Sequence, residues 1–132
     1  MKKSIIALMS CTFSSIAFAN NPLSVHVLNL ESGTPSANVK VVLEAQQGEN
    51  WVKLNEATTN EQGRIGELYP KDSNLKKGVY KVTFETGNWY KSKNQRSFFP
   101  EVPVVFVIDG QLDHYHIPLL ISPYGYSTYR GN

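Results

Sequence analysis

From residue 20 onward, apolar and polar side chains alternate in short runs, the period of two that marks half-buried β-strands. Ser24–Leu30 is β-rich, and Val39–Ala45, Trp51–Glu56 and Val79–Glu85 repeat the pattern. Tyr115–Ile117 continues into Leu119–Ile121, and Tyr124–Tyr129 reads as a last, aromatic-rich strand. Val104–Ile108 is different: it is continuously apolar, which predicts a strand buried on both faces. Turn signals separate the runs, among them Glu31–Pro35, Gly48–Asn50, Asn60–Gly63 and Asp109-Gly110. Only Trp89–Phe98 lacks alternation; with Lys91, Lys93 and Arg96 it reads as a short helix or a basic loop. Seven or eight strands at this spacing predict an all-β, two-sheet sandwich.

The first nineteen residues follow another rule. Lys2 and Lys3 precede an apolar and small-polar stretch, Ile5–Phe18, which ends in the A-x-A signal Ala17-Phe18-Ala19. This is the three-part pattern of a cleaved secretory signal peptide. A lipoprotein box around Cys11 is the competing reading, set back by the short apolar stretch before it. The expected organisation is a leader over residues 1–19 and one domain over 20–132, exported to the periplasm in a two-membrane bacterium. Both methionines and the sole cysteine fall in the leader, so the domain has no thiol for catalysis, redox work or metal binding.

Charge narrows the function classes. The chain carries 13 Lys and Arg against 11 Asp and Glu, and removal of Lys2 and Lys3 balances them. A balanced surface disfavours nucleic acid as a partner. No apolar run reaches the roughly 18 residues of a membrane span. Motifs for a nucleophilic serine elbow, a phosphate-binding loop, an H-E-x-x-H metal site or a dinucleotide fold do not occur.

The chemistry left over is imidazole and guanidinium. His114 and His116 are two apart, so they face one side of one strand, and His26 lies in the first strand. Three histidines admit ordinary surface or satisfied core positions, a proton-transfer cluster, or a zinc site with an open position; Asp113 is the only acid beside the pair. Arg64 follows the Asn60–Gly63 turn and offers either a solvated charge or a planar fork for a carbonyl or carboxylate. Lys91, Lys93 and Arg96 read as a solvated face. The segment Tyr124–Asn132 holds Tyr124, Tyr126 and Tyr129 with Arg130, a composition suited to packing in an interface.

Five segments together resemble the transthyretin-like family: Leu23–Asn29, Thr59–Arg64, Ser97–Glu101, His114–Pro123 and Tyr126–Gly131. The family has a hydrolase branch acting on 5-hydroxyisourate and a transthyretin branch binding thyroid hormone. The hydrolases carry a first-strand His, an Arg after the turn, H-Y-H-x-P-L-L and a closing Y-R-G-S. His26, Arg64 and His116 match the hydrolase pattern, while Asn132 stands where the family has Ser.

The resemblance implies an eight-stranded transthyretin-like sandwich with one short helix, assembled as a homotetramer with sites between dimers. It implies His26, Arg64 and His116 as catalytic residues and substrate binding by His26, Arg64 and Tyr129. His114 and Asn132 would lie just behind the site. It implies neither metal nor cofactor. The alternative function on the same fold is a non-catalytic binder of small ligands.

Overall fold

The computed structural model describes residues 20–132. The leader expected over residues 1–19, with Cys11 and the Ala17–Ala19 signal, lies outside the described residues. Nine strands and one helix follow in order: β1 (Leu23–Asn29), β2 (Thr34–Pro35), β3 (Lys40–Gln47), β4 (Asn50–Thr58), β5 (Arg64–Ile65), β6 (Gly78–Phe84), α1 (Thr86–Ser92), β7 (Val102–Ile108), β8 (Tyr115–Ser122) and β9 (Gly125–Thr128). One sheet runs β2-β1-β8-β9, with β5 also paired to β1; the other runs β4-β3-β6-β7. This is the expected all-β sandwich. The strand count exceeds seven or eight because β2 and β5 are only two residues long.

Alternation decides what each sheet buries. On β1, Leu23, Val25 and Val27 are fully buried, while Ser24, His26 and Leu28 face outward. The core closes on Val41, Leu43, Val82 and Phe84 from the second sheet and Leu119 and Ile121 from β8. Each such side chain contributes about 1.5–3 kcal/mol over leaving it in water. The unusual pairing is β1 with β8, which is parallel: Ser24 lies beside His116 and His26 beside Pro118. It brings together two strands about ninety residues apart in sequence.

β7 corrects the expectation of a strand buried on both faces. Val102 and Ile108 are buried, but Val105 and Val107 are 57% and 61% exposed. The reason is position: β7 is the edge strand of its sheet, paired only to β6, and among the described residues nothing packs over Val105 and Val107 on the outer face. Pro103 within it fits an edge, where a missing N–H is harmless. Only the start of the non-alternating stretch, residues 89–92, lies in α1, which begins at Thr86, and residues 93–98 follow as a turn and loop. The helix is anchored by Trp89, whose Nε1–H donates to the Ala37 carbonyl at 2.7 Å. Lys91, Lys93 and Arg96 are exposed, as a solvated face requires. Among the described residues no helix is long and apolar enough to cross a membrane.

Candidate active site

The outer face of β1, β5 and the start of β8 gathers the polar residues that the strands turn away from the core. The antiparallel β1–β5 pairing sets His26 opposite Arg64 and Val25 opposite Ile65. Val25 and Ile65 are buried, so His26 and Arg64 emerge together on the other side.

The turn before β5 fixes that register. Asn60 Oδ1 accepts from the backbone N–H groups of Gln62 and Arg64, each at 3.0 Å, and Gly63 N–H donates to the Asn60 carbonyl at 2.8 Å. Gly63 has φ +70°, and a Cβ there would stand 2.5 Å from the Val27 carbonyl oxygen. Only glycine meets both conditions, so the residue before Arg64 is dictated by backbone geometry.

His116 also faces outward, yet it is only 8% exposed. The segment after β9 covers it. Gly131 N–H donates to the His116 carbonyl at 2.9 Å, and a Cβ on Gly131 would lie 2.5 Å from His116 Cδ2. Thr128, the last residue of β9, anchors the start of that segment by donating its Oγ1–H to the Pro118 carbonyl at 2.7 Å.

Ser24, which drew no attention in the sequence, joins the two later histidines. Its Oγ lies 2.8 Å from His114 Nε2 and 2.6 Å from His116 Nδ1. The rings stack with centroids 6.5 Å apart. His114 itself sits one residue before β8 rather than within it, but its side chain keeps to the His116 side. The available signal was Ser24's place two residues before His26 on an alternating strand, which puts both on one face.

Electrostatics then sets protonation. Burial, followed by the positive charge of Arg64, lowers the pKa of His26 below the ordinary imidazole value; a hydrogen bond to the Gln62 backbone opposes this. Burial lowers His116 too, aided by Arg64, then His114 and His26, against a hydrogen bond to the Ser24 backbone. Both rings are therefore neutral at neutral pH and able to accept a proton. Among the described residues Arg64 takes part in no ion pair, so its guanidinium is left for a ligand.

An open cleft of about 410 Å³ lies beside this face, lined by Asn21, Ser24, Arg64, Glu67 and His114; neither His26 nor His116 lines it. Tyr129 lies elsewhere within the chain. It is 59% exposed and lines a separate cleft of about 270 Å³ with Val105, Val107, Ile117 and Arg130. Asn132 is exposed next to Gly131. Among the described residues no three His, Cys, Asp or Glu side chains are grouped to hold a metal ion.

Residues 23–131 match the family model described as the HIUase/Transthyretin family. The chain belongs to that family. A 5-hydroxyisourate hydrolase of Salmonella dublin is 44% identical over 137 residues, covering 100% of both chains. The structure of the Klebsiella pneumoniae 5-hydroxyisourate hydrolase superposes with a TM-score of 0.72 at 41% identity, covering 83% of this chain and 98% of that one. Transthyretin from Sparus aurata superposes with a TM-score of 0.77 at 28% identity, covering 83% and 96%. Backbone likeness within the HIUase/Transthyretin family thus does not separate its two branches. Sequence identity is higher toward the two hydrolases, 44% and 41%, than toward the transthyretin, 28%.

Proposed function

We propose that this chain hydrolyses 5-hydroxyisourate, opening its six-membered ring to give 2-oxo-4-hydroxy-4-carboxy-5-ureidoimidazoline. The single observation that carries the reading is the pairing of Arg64, whose guanidinium takes part in no ion pair among the described residues, with neutral His26, beside neutral His116. The curated relatives named for this reaction support it.

Ring opening needs three things: a proton taken from water, a polarised carbonyl, and a proton given to the leaving nitrogen. An imidazole with a depressed pKa does the first and, once protonated, the last. The hydroxide carbon–oxygen bond forms, the ring C–N bond breaks, and water's other proton ends on the nitrogen, so no further reactant is needed. Arg64 holds the carbonyl oxygen and stabilises the negative charge that builds there. A site that only binds a small ligand has no use for two proton-accepting rings beside an unpaired cation.

The finer reading assigns His26 and His116 to activating water and Arg64 to holding substrate, with Tyr129 supplied across a subunit contact. Assembly as a homotetramer is supported by apolar and aromatic groups left exposed on one chain, Val105, Val107, Tyr126 and Tyr129 among them. Export to the periplasm with cleavage after Ala19 is supported by the leader pattern of residues 1–19.

The direct test adds purified protein to freshly generated 5-hydroxyisourate and follows its absorbance decay, with mass analysis of the product. Accelerated decay to a product heavier by one water is expected. Decay at the uncatalysed rate would leave the ligand-binding alternative in possession of the fold.

A further inference from the structure

Three hydrogen bonds run in series through the residues behind the site, and their donors can be counted. The Asn21 carbonyl lies 2.7 Å from His114 Nδ1. A carbonyl only accepts, so His114 Nδ1 carries a hydrogen. In the neutral ring Nε2 then has a bare lone pair. The Ser24 hydroxyl, 2.8 Å away, must donate to it. That spends the one hydroxyl hydrogen. Toward His116 Nδ1, at 2.6 Å, Ser24 Oγ is left as an acceptor, and Nδ1 must be the donor. A neutral His116 with hydrogen on Nδ1 has a bare Nε2.

We infer that Ser24 and His114 are positioning residues that lock His116 into its Nδ1–H tautomer, leaving Nε2 as the nitrogen that takes a proton. The polarity of the series is set at its far end by a backbone carbonyl, which has no second state. In the reaction Nε2 accepts the proton of water as the water oxygen bonds to the carbonyl carbon, then returns it to the leaving nitrogen. Nδ1–H stays bonded to Ser24 throughout and stabilises the charged ring between the two events. Isolated from the series, a His116 ring would divide itself between two tautomers and lose part of its basic form.

The inference rests on the hydrolase reading for its purpose but not for its test. Long-range ¹⁵N spectra of the histidine rings in the whole, substrate-free protein at pH 8 read each tautomer directly. Both His114 and His116 are expected as Nδ1–H. Ser24→Ala should return His116 to a mixture containing Nε2–H and lower kcat by about ten-fold or more, with KM little changed. Ser24→Thr, which keeps the hydroxyl, should restore the tautomer and most of kcat. His114→Gln, whose amide oxygen can accept from Ser24, should hold the tautomer; His114→Leu should release the hydroxyl and lose it. A native His116 carrying its hydrogen on Nε2 would overturn the inference. So would a Ser24→Ala protein whose His116 tautomer and kcat match the native ones. Should the native protein show the Nδ1–H form yet leave 5-hydroxyisourate untouched, the hydrolase reading fails and the lock stands.

Discussion

His26 and Arg64 face each other across a pairing in which one partner strand is only two residues long. So short a strand has little cooperative hold on its own register. The register is imposed by the Asn60–Gly63 turn, which ties Arg64 N–H to Asn60 Oδ1 and packs Gly63 against Val27. The cation that would meet substrate is therefore positioned by a glycine that would never touch it.

Gly63→Ala is expected to cost about 1–3 kcal/mol, because alanine must hold a positive φ and its Cβ meets the Val27 carbonyl. Activity should fall by more than the lost stability explains, since Arg64 moves with the turn. Urea denaturation beside kcat/KM at a temperature where the variant is fully folded checks both halves.

Arg64 acts on its neighbours' protons as well as on substrate. Its charge helps hold His26 and His116 below the ordinary value of 6.5. The active form of a base is the neutral one, so activity is present above the folded pKa and lost as pH falls through it. The acid limb of kcat/KM should thus lie below pH 6.5. Arg64→Met removes the charge, the imidazole pKa values rise toward the ordinary one, and the acid limb of the residual activity moves up. Arg64→Lys keeps the limb in place while losing the planar fork, at about ten-fold or more in kcat/KM. A pH series on the two variants, with imidazole titration by NMR, separates the effects.

Much of this arrangement is legible in the sequence, and the exceptions have physical causes. The longer strands declare themselves by alternation: Val25 and Val27 go inward, and His26 must then go outward. β2 and β5 are invisible because two residues carry no period. β7 misleads because an edge strand with an apolar outer face has the same composition as a covered one; Val105 and Val107 differ from core valines only in what lies beyond them. The link from Ser24 to His114 and His116 depends on the parallel β1–β8 pairing, which nothing local in either segment announces. Arg64 could be picked out by type, whereas its partner His26 could be assigned to it only through the resemblance or the fold.

Gly131 lies against the His116 ring edge, with Pro118 also close. Gly131→Ala should push the closing segment off the ring and expose it. Global stability should change little, because the residue lies beyond β9. The expected signature is a fall in kcat with an unchanged melting temperature and a His116 pKa that moves up as burial is relieved.

Exposed Val107 on the β7 edge tests assembly. With a homotetramer, sedimentation gives about four chains per particle, and Val107→Asp, which places an uncompensated charge at a covered edge, reduces that number and the activity together. A native protein that sediments as a monomer at full specific activity would confine the site to one chain and remove Tyr129 from it.

On the proposed function, the outward face carrying His26, Arg64 and His116 performs the hydrolysis. The measurement that tests this most directly is the decay of fresh 5-hydroxyisourate with equal amounts of native, His26→Ala and His116→Ala protein, each shown folded by circular dichroism. Fast decay is expected with the native protein and a loss of roughly 100-fold or more in each variant, the usual scale for a group that moves a proton in the reaction. Native-like decay with either folded variant would contradict that reading.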